Sequence, residues 1–215
     1  MIKAVFFDLD GTLADTAADL GYALNRQRAT RGLPSLPLAQ IRPQASNGTR
    51  GLLKLGFGIT PKDKNYEDMR AEFLDLYETN LCRHTTLFPG VAELLSELEG
   101  RGLAWGVVTN KPARFTVPLL ARLELASRAS AIVSGDTCEK PKPDPAPLVE
   151  ASRQAGVAPA SCLYLGDDKR DTEASLAAGM QSIIALYGYL GDGSRPETWG
   201  AHGTIERPQD LLKFL

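Results

Sequence analysis

Cysteine is scarce and badly placed for either of its structural uses. Cys82, Cys138 and Cys162 are odd in number, far apart and without a CxxC pair. Neither a disulfide framework nor a zinc site is expected; reduced thiols in a cytoplasmic protein are. An excess of charge of one sign is also missing. Lys and Arg total 24 against 26 Asp and Glu, a formal net charge of -2, which removes the electrostatic case for nucleic acid or an anionic membrane as partner. Any affinity for phosphate must come from a local site. No apolar run approaches the length that spans a bilayer. The first residues run straight into a strand pattern, without the basic, apolar and small-residue order of a signal peptide. The sequence shows no internal repeat and no low-complexity tract. Its two histidines, His84 and His202, have no partner spacing that suggests a metal.

What is present is an ordinary globular composition, 43% hydrophobic and 23% charged over 215 residues. That length fits one large domain or a domain with a substantial insertion. Short apolar runs at 4–7, 103–108, 131–133, 162–165 and 182–186 read as strands buried on both faces, as in a parallel sheet. Helical spacing fills the gaps: "PGVAELLSELEGRG" from Pro89, then 112–124, 145–156 and 170–178. Alternation of this kind predicts an α/β fold, a doubly wound (Rossmann-like) parallel sheet. Residues 16–86 break the alternation with two helical patterns, 16–32 and 64–81, and no convincing strand between them. The expected organisation is a core of residues 1–15 and 87–215 with an inserted α-helical cap, 16–86. Its two connections, near Asp15 and at 84–88, would be hinges.

Ligands of open parallel sheets bind beyond the carboxyl ends of the strands. In this sequence those ends carry Asp8 and Asp10, then Thr109 and Asn110, then the lysines of "EKPKPDPAPL", then "GDDKRD" at 166–171. Carboxylates gathered on one edge repel, so a positive charge must sit among them. An all-oxygen set suits Mg²⁺, which is often completed by a substrate phosphate. A lysine and a hydroxyl would hold the remaining phosphate oxygens. One aspartate could then attack phosphorus while the other handles the leaving group's proton.

The series Asp8-Leu9-Asp10-Gly11-Thr12, Thr109-Asn110, Lys142-Pro143 and Gly166-Asp167-Asp168-Lys169-Arg170-Asp171 resembles the four motifs of the haloacid dehalogenase superfamily, in order and over essentially the whole chain. The resemblance implies that Asp8 is the nucleophile and Asp10 the general acid and base. Thr109 and the motif lysine would bind the phosphoryl group. Mg²⁺ would be held by the Asp8 carboxylate, the Asp10 backbone carbonyl and Asp167, with Asp171 close by. Lys140 and Lys142 both open a K-P-x-P, and the spacing to the next helix favours Lys142. Dehalogenases of the superfamily lack the second aspartate, so its presence points to phosphate esters, whose alkoxide leaving group needs a proton. "VVTNKPARF", "PLLARLEL" and "SGDT" resemble phosphoglycolate phosphatases. "WGVVTNKPARF", "GDDKRD", "YGY" and "WGA" resemble N-acetylmuramic acid 6-phosphate phosphatases equally well. A phosphosugar mutase and a non-hydrolytic phospho-aspartate signalling module are the other readings; the inserted cap argues against the module.

Several residues carry both a functional and a plain reading. Gly48 and Arg50 of "SNGTRG" either face the substrate's leaving group or lie in a helix-to-helix turn. Asn110 is expected to touch the substrate. Lys111 and Arg114 either bind a substrate carboxylate or are surface charges. Tyr187, Tyr189 and Trp199 either line the pocket rim or pack. Asp168 reads as a helix cap.

Overall fold

The run Ala4-Val5-Phe6-Phe7 forms β1 (Ala4–Phe7), with all four side chains buried. Val5 and Phe7 join one apolar cluster while Ala4 and Phe6 join another, as the two-residue period of a strand covered on both faces requires. The computed structural model, which describes residues 1–191 and 193–215, continues with β2 (Ala14–Asp15), α1 (Ala17–Ala29), α2 (Leu38–Ile41), a 3₁₀ turn at Arg42–Asn47, α3 (Gly48–Phe57), α4 (Tyr66–Thr79) and β3 (Thr86–Leu87). There follow α5 (Val91–Gly100), β4 (Ala104–Val108), α6 (Ala113–Arg122), β5 (Ala131–Val133), α7 (Ala146–Ala155), β6 (Cys162–Gly166), α8 (Lys169–Ala177), β7 (Gln181–Ala185) and β8 (Gly203–Ile205). A 3₁₀ segment, Pro208–Phe214, follows β8.

Six strands form one sheet in the order β5-β4-β1-β6-β7-β8, parallel throughout. The chain leaves β1, returns beside it as β4, moves outward to β5, and then crosses to the other side of β1 as β6. β1 is therefore the switch point, where loops leave in opposite directions and open a crevice. Leu94, Leu95 and Leu98 of α5 and Leu119 and Leu120 of α6 cover one face. Leu148 and Ala151 of α7 and Ala174 of α8 cover the other. Burial on both faces is why the strand sequences read as apolar runs rather than alternations.

β2 and β3 pair antiparallel, Ala14 with Leu87 and Asp15 with Thr86. This two-stranded ribbon carries the chain into and out of the helical cap, at the positions expected to be hinges. It is fastened by Asp19 of α1, a fully buried carboxylate that accepts from His84 N (2.9 Å), Thr85 N (3.0 Å) and Thr85 Oγ1 (2.7 Å). Two cap helices stand where the sequence predicts them. α2 and α3 are additional: three glycines in "GTRGLLKLGF" weaken the local helix signal, and burial of Leu52 and Leu53 against the other cap helices compensates. β8 also escapes sequence reading, because three residues with one buried side chain carry almost no pattern. Among the described residues no helix is long and apolar enough to cross a membrane.

Candidate active site

β1, β4 and β6 are adjacent, and Phe7, the last residue of β1, pairs with Val107 and Leu165, each one residue before the end of its strand. Asp8, Thr109 and Asp167, each just beyond one of these strands, are thereby brought to one edge. Asp8 N donates to Leu165 O (2.9 Å). The turn after it needs glycine: Gly11 has φ of 93°, and a Cβ there would lie 2.3 Å from Asp167 Oδ2. Positive φ and close approach together exclude other residues. Asp171 arrives through helix capping. The Asp168 side chain accepts from Arg170 N (2.9 Å), and Asp171 Oδ2 accepts from Asp168 N (3.0 Å), a reciprocal box at the start of α8.

Lys142 is the charge at the centre. Its buried ammonium lies within hydrogen-bond range of four oxygens that share its three N–H groups: Asp8 Oδ1 (2.8 Å), Asp171 Oδ1 (2.6 Å), Val108 O (2.9 Å) and Tyr164 OH (2.7 Å). Lys140 is exposed, so geometry favours Lys142. Asp167 has no lysine. It accepts from Thr12 Oγ1 (2.9 Å), Tyr189 N (2.9 Å) and Ser46 Oγ (3.2 Å), the last from the cap. Asp10 points another way: its Oδ1 accepts from Thr16 Oγ1 (2.6 Å) and Lys111 Nζ (2.8 Å).

The electrostatics follow from burial. Burial pushes Asp8 up to about 7, Asp171 and Asp10 add repulsion, and Lys142 opposes the rise. Burial, then Asp8 and Asp171, hold Asp167 well above the usual carboxylate range. Asp8, Asp167 and Asp171 each offer an oxygen within 4.8 Å of the others, while one ammonium serves only two of them. Three crowded hard donors with too little positive charge are a site that fits a divalent cation. The Asp10 carboxylate stands outside this set; only its backbone carbonyl was expected in it.

A cavity of about 330 Å³ lies between these residues and the cap. Asp8, Asp10, Thr109, Lys111 and Lys142 line the core side. Leu20, Tyr66, Phe73, Leu74 and Tyr77 line the cap side, with Gly48, Arg50 and Arg70. Arg50 makes no hydrogen bond or ion pair among the described residues, so its charge is open to a ligand. Lys111 is not a surface charge: its side chain is 8% exposed and its ammonium lies 4.8 Å from the centre of the Tyr77 ring. Burial is the largest single influence and would lower its pKa, but Asp10 and Tyr77 together raise it above the ordinary lysine value. Arg114 stacks on Phe115 and does not line the cavity. Asn110 lines it, yet its side chain is bonded to the Lys142 backbone. Tyr187 and Tyr189 pack behind the motifs, donating to Thr12 O and Asp15 Oδ1, and Trp199 lies away from the cavity. Tyr164, Thr12, Thr16, Ser46 and Tyr77 were not foreseen. Thr12, within the DGT turn, and Ser46, within "SNGTRG", had a signal in the sequence; the others are joined to the site by folding.

A family model described as haloacid dehalogenase-like hydrolase matches residues 5–185. The chain is 40% identical over 214 residues to the N-acetylmuramic acid 6-phosphate phosphatase of Pseudomonas putida, covering 100% of this chain and 96% of that one. It is 43% identical over 210 residues to the phosphoglycolate phosphatase of Xanthomonas campestris pv. campestris, covering 97% and 94%. The crystal structure of a predicted phosphoglycolate phosphatase from Haemophilus somnus superposes with a TM-score of 0.86 at 26% identity, covering 99% of this chain and 97% of that one. With its motifs assembled around one acidic cluster beneath a helical cap, the chain belongs to the haloacid dehalogenase-like hydrolases and is an enzyme of the phosphatase kind.

Proposed function

We propose that the protein is a Mg²⁺-dependent phosphomonoesterase of the cytoplasm that hydrolyses a small phosphorylated metabolite through an aspartyl phosphate, with 2-phosphoglycolate as the leading substrate. Residues 16–86 act as a cap over a core of 1–15 and 87–215. The observation that carries this reading is the contact of Lys142 with both Asp8 and Asp171, beside a second carboxylate, Asp10, in the same cavity.

The residues divide the work as follows. The Lys142 ammonium and the Thr109 hydroxyl hold phosphoryl oxygens and fix phosphorus in line with Asp8. An Asp8 carboxylate oxygen forms the new bond to phosphorus as the bond to the ester oxygen breaks. Asp10 delivers its proton to that departing oxygen, a contribution of about 10²–10⁴-fold. Asp10 then takes a proton from water as the water oxygen attacks the aspartyl phosphate, and phosphate leaves as the bond to Asp8 breaks. When bound, Mg²⁺ would be held by the carboxylates of Asp8, Asp167 and Asp171 with the Asp10 carbonyl, and would neutralise phosphoryl charge. The aromatic cap wall excludes water from the first step.

A second substrate, N-acetylmuramic acid 6-phosphate, is favoured by one observation. The cap half of the cavity is lined by Leu20, Tyr66, Phe73, Leu74 and Tyr77, an apolar surface that a two-carbon acid does not use and a substituted sugar ring does. The test is phosphate release from 2-phosphoglycolate, N-acetylmuramic acid 6-phosphate and several hexose phosphates, with Mg²⁺ present and after chelation. Equal, feeble rates on all would reject both substrates. An isomeric sugar monophosphate formed without free phosphate would make the protein a mutase. Undiminished turnover after removal of divalent ions would refute the mechanism.

A further inference from the structure

We infer that Asn110 is a positioning residue for Lys142: it fixes the backbone from which the phosphate-binding ammonium extends. The inference rests on the role of Lys142 given above. Asn110 lies one residue past Thr109, where a substrate contact was expected. Its side chain instead faces one residue of a distant loop. Lys142 N donates to Asn110 Oδ1 at 2.9 Å, and Asn110 Nδ2 donates to Lys142 O at 2.8 Å. That exchange of two bonds is how one strand residue pairs with another, here made by a side chain.

The loop needs such a fastening. Pro141, Pro143 and Pro145 have no N–H to give, and the stretch between β5 and α7 contains no strand or helix. The N–H of Lys142 is the single backbone donor between Pro141 and Pro143, and Asn110 accepts it. A planar amide bonded at both ends fixes translation and rotation together. The far end of Lys142 is registered on the same strand, since its Nζ donates to Val108 O at 2.9 Å. Val108 and Asn110 flank Thr109. Both ends of Lys142 are therefore set against the strand end that carries the hydroxyl acting on the same phosphate. The side-chain oxygen of Asn110 and one of its amide protons are engaged in this clamp.

A double-mutant cycle separates the two roles. Asn110→Ala, Lys142→Ala and the double variant are assayed with Mg²⁺ for phenyl phosphate turnover, and for inorganic phosphate affinity by calorimetry. A displaced Lys142 predicts that Asn110→Ala alone lowers kcat about 10- to 100-fold. In the Lys142→Ala background it should add less than about twofold in either readout, the range of independent sites being the limit of detection. Asn110→Ser, which keeps one acceptor for Lys142 N–H, should recover part of the loss and serves where the alanine variant does not fold. Losses that multiply in the double variant overturn the inference, as does an Asn110→Ala enzyme equal to wild type. If the wild type hydrolyses no ester yet binds phosphate with the non-additive pattern, the hydrolytic reading fails and the clamp stands. If Lys142→Ala matches wild type in both readouts, both fail.

Discussion

Replacing Asp8 by asparagine should abolish turnover and, without metal at neutral pH, make the protein more stable. The carboxyl is pushed from 3.8 to about 7 in the folded protein, chiefly by burial and then by Asp171 and Asp10 against the pull of Lys142. Below 3.8 it is protonated in both folded and unfolded states and contributes no pH dependence. Between 3.8 and about 7 the unfolded chain releases a proton that the folded protein keeps, so stability falls as pH rises. Above about 7 the loss is complete and amounts to at most about 4 kcal/mol. Between about pH 5 and about pH 7.5 this carboxyl alone should cost the metal-free wild type about 2–3 kcal/mol, or roughly 5–10 °C in Tm for a chain of this size. Asp8→Asn removes this share and should make the profile shallower, leaving the slope that Asp167, also raised, still imposes. Mg²⁺ should reverse the order, raising the wild-type Tm by mass action and the variant's much less. Thermal unfolding at both pH values, with chelator and with Mg²⁺, reads all four states. A metal-free variant that melts below wild type near pH 7.5, or a flat wild-type profile, would refute the electrostatic account of the site.

Three further outcomes are expected. Asp19→Ala strands the donors of His84 and Thr85 at the base of the cap and should cost about 3 kcal/mol in urea unfolding; a cost under about 1 kcal/mol would mean that the ribbon holds the hinge without it. Gly188→Ala would place a Cβ 2.3 Å from the Asp167 Cβ and 2.5 Å from Gly11 O, so it should destabilise by about 1–3 kcal/mol and weaken Mg²⁺ affinity by calorimetry. Unchanged Mg²⁺ affinity would show that Asp167 shifts without consequence. Arg50→Ala should raise KM about tenfold for esters whose leaving group is anionic, leave kcat alone, and leave phenyl phosphate unaffected; equal effects on both substrates would remove Arg50 from leaving-group recognition.

The sequence by itself determined the alternation of strand and helix, the helical insertion and the strand ends that carry chemistry. These are local or periodic properties: a strand buried on both faces must be apolar, and a loop that binds phosphate must carry Asp8, Thr109 or Lys142 whatever surrounds it. Even the capping role of Asp168 is a short-range matter of residues 168–171. Tertiary structure alone decided which charges meet. Nothing near Lys142 in the chain announces that Asp8, Val108, Tyr164 and Asp171 will surround its ammonium, or that Asn110 will hold its backbone instead of a substrate. Lys111 reads equally well as a surface cation until the fold buries it between Asp10 and Tyr77. β8 and α3 were illegible for a related reason: their stability comes from neighbours brought by the fold, the one from pairing with β7 and the other from the apolar faces of α1 and α4. Periodicity reports what a segment buries, but partners hundreds of atoms away along the chain are chosen by sheet order and register.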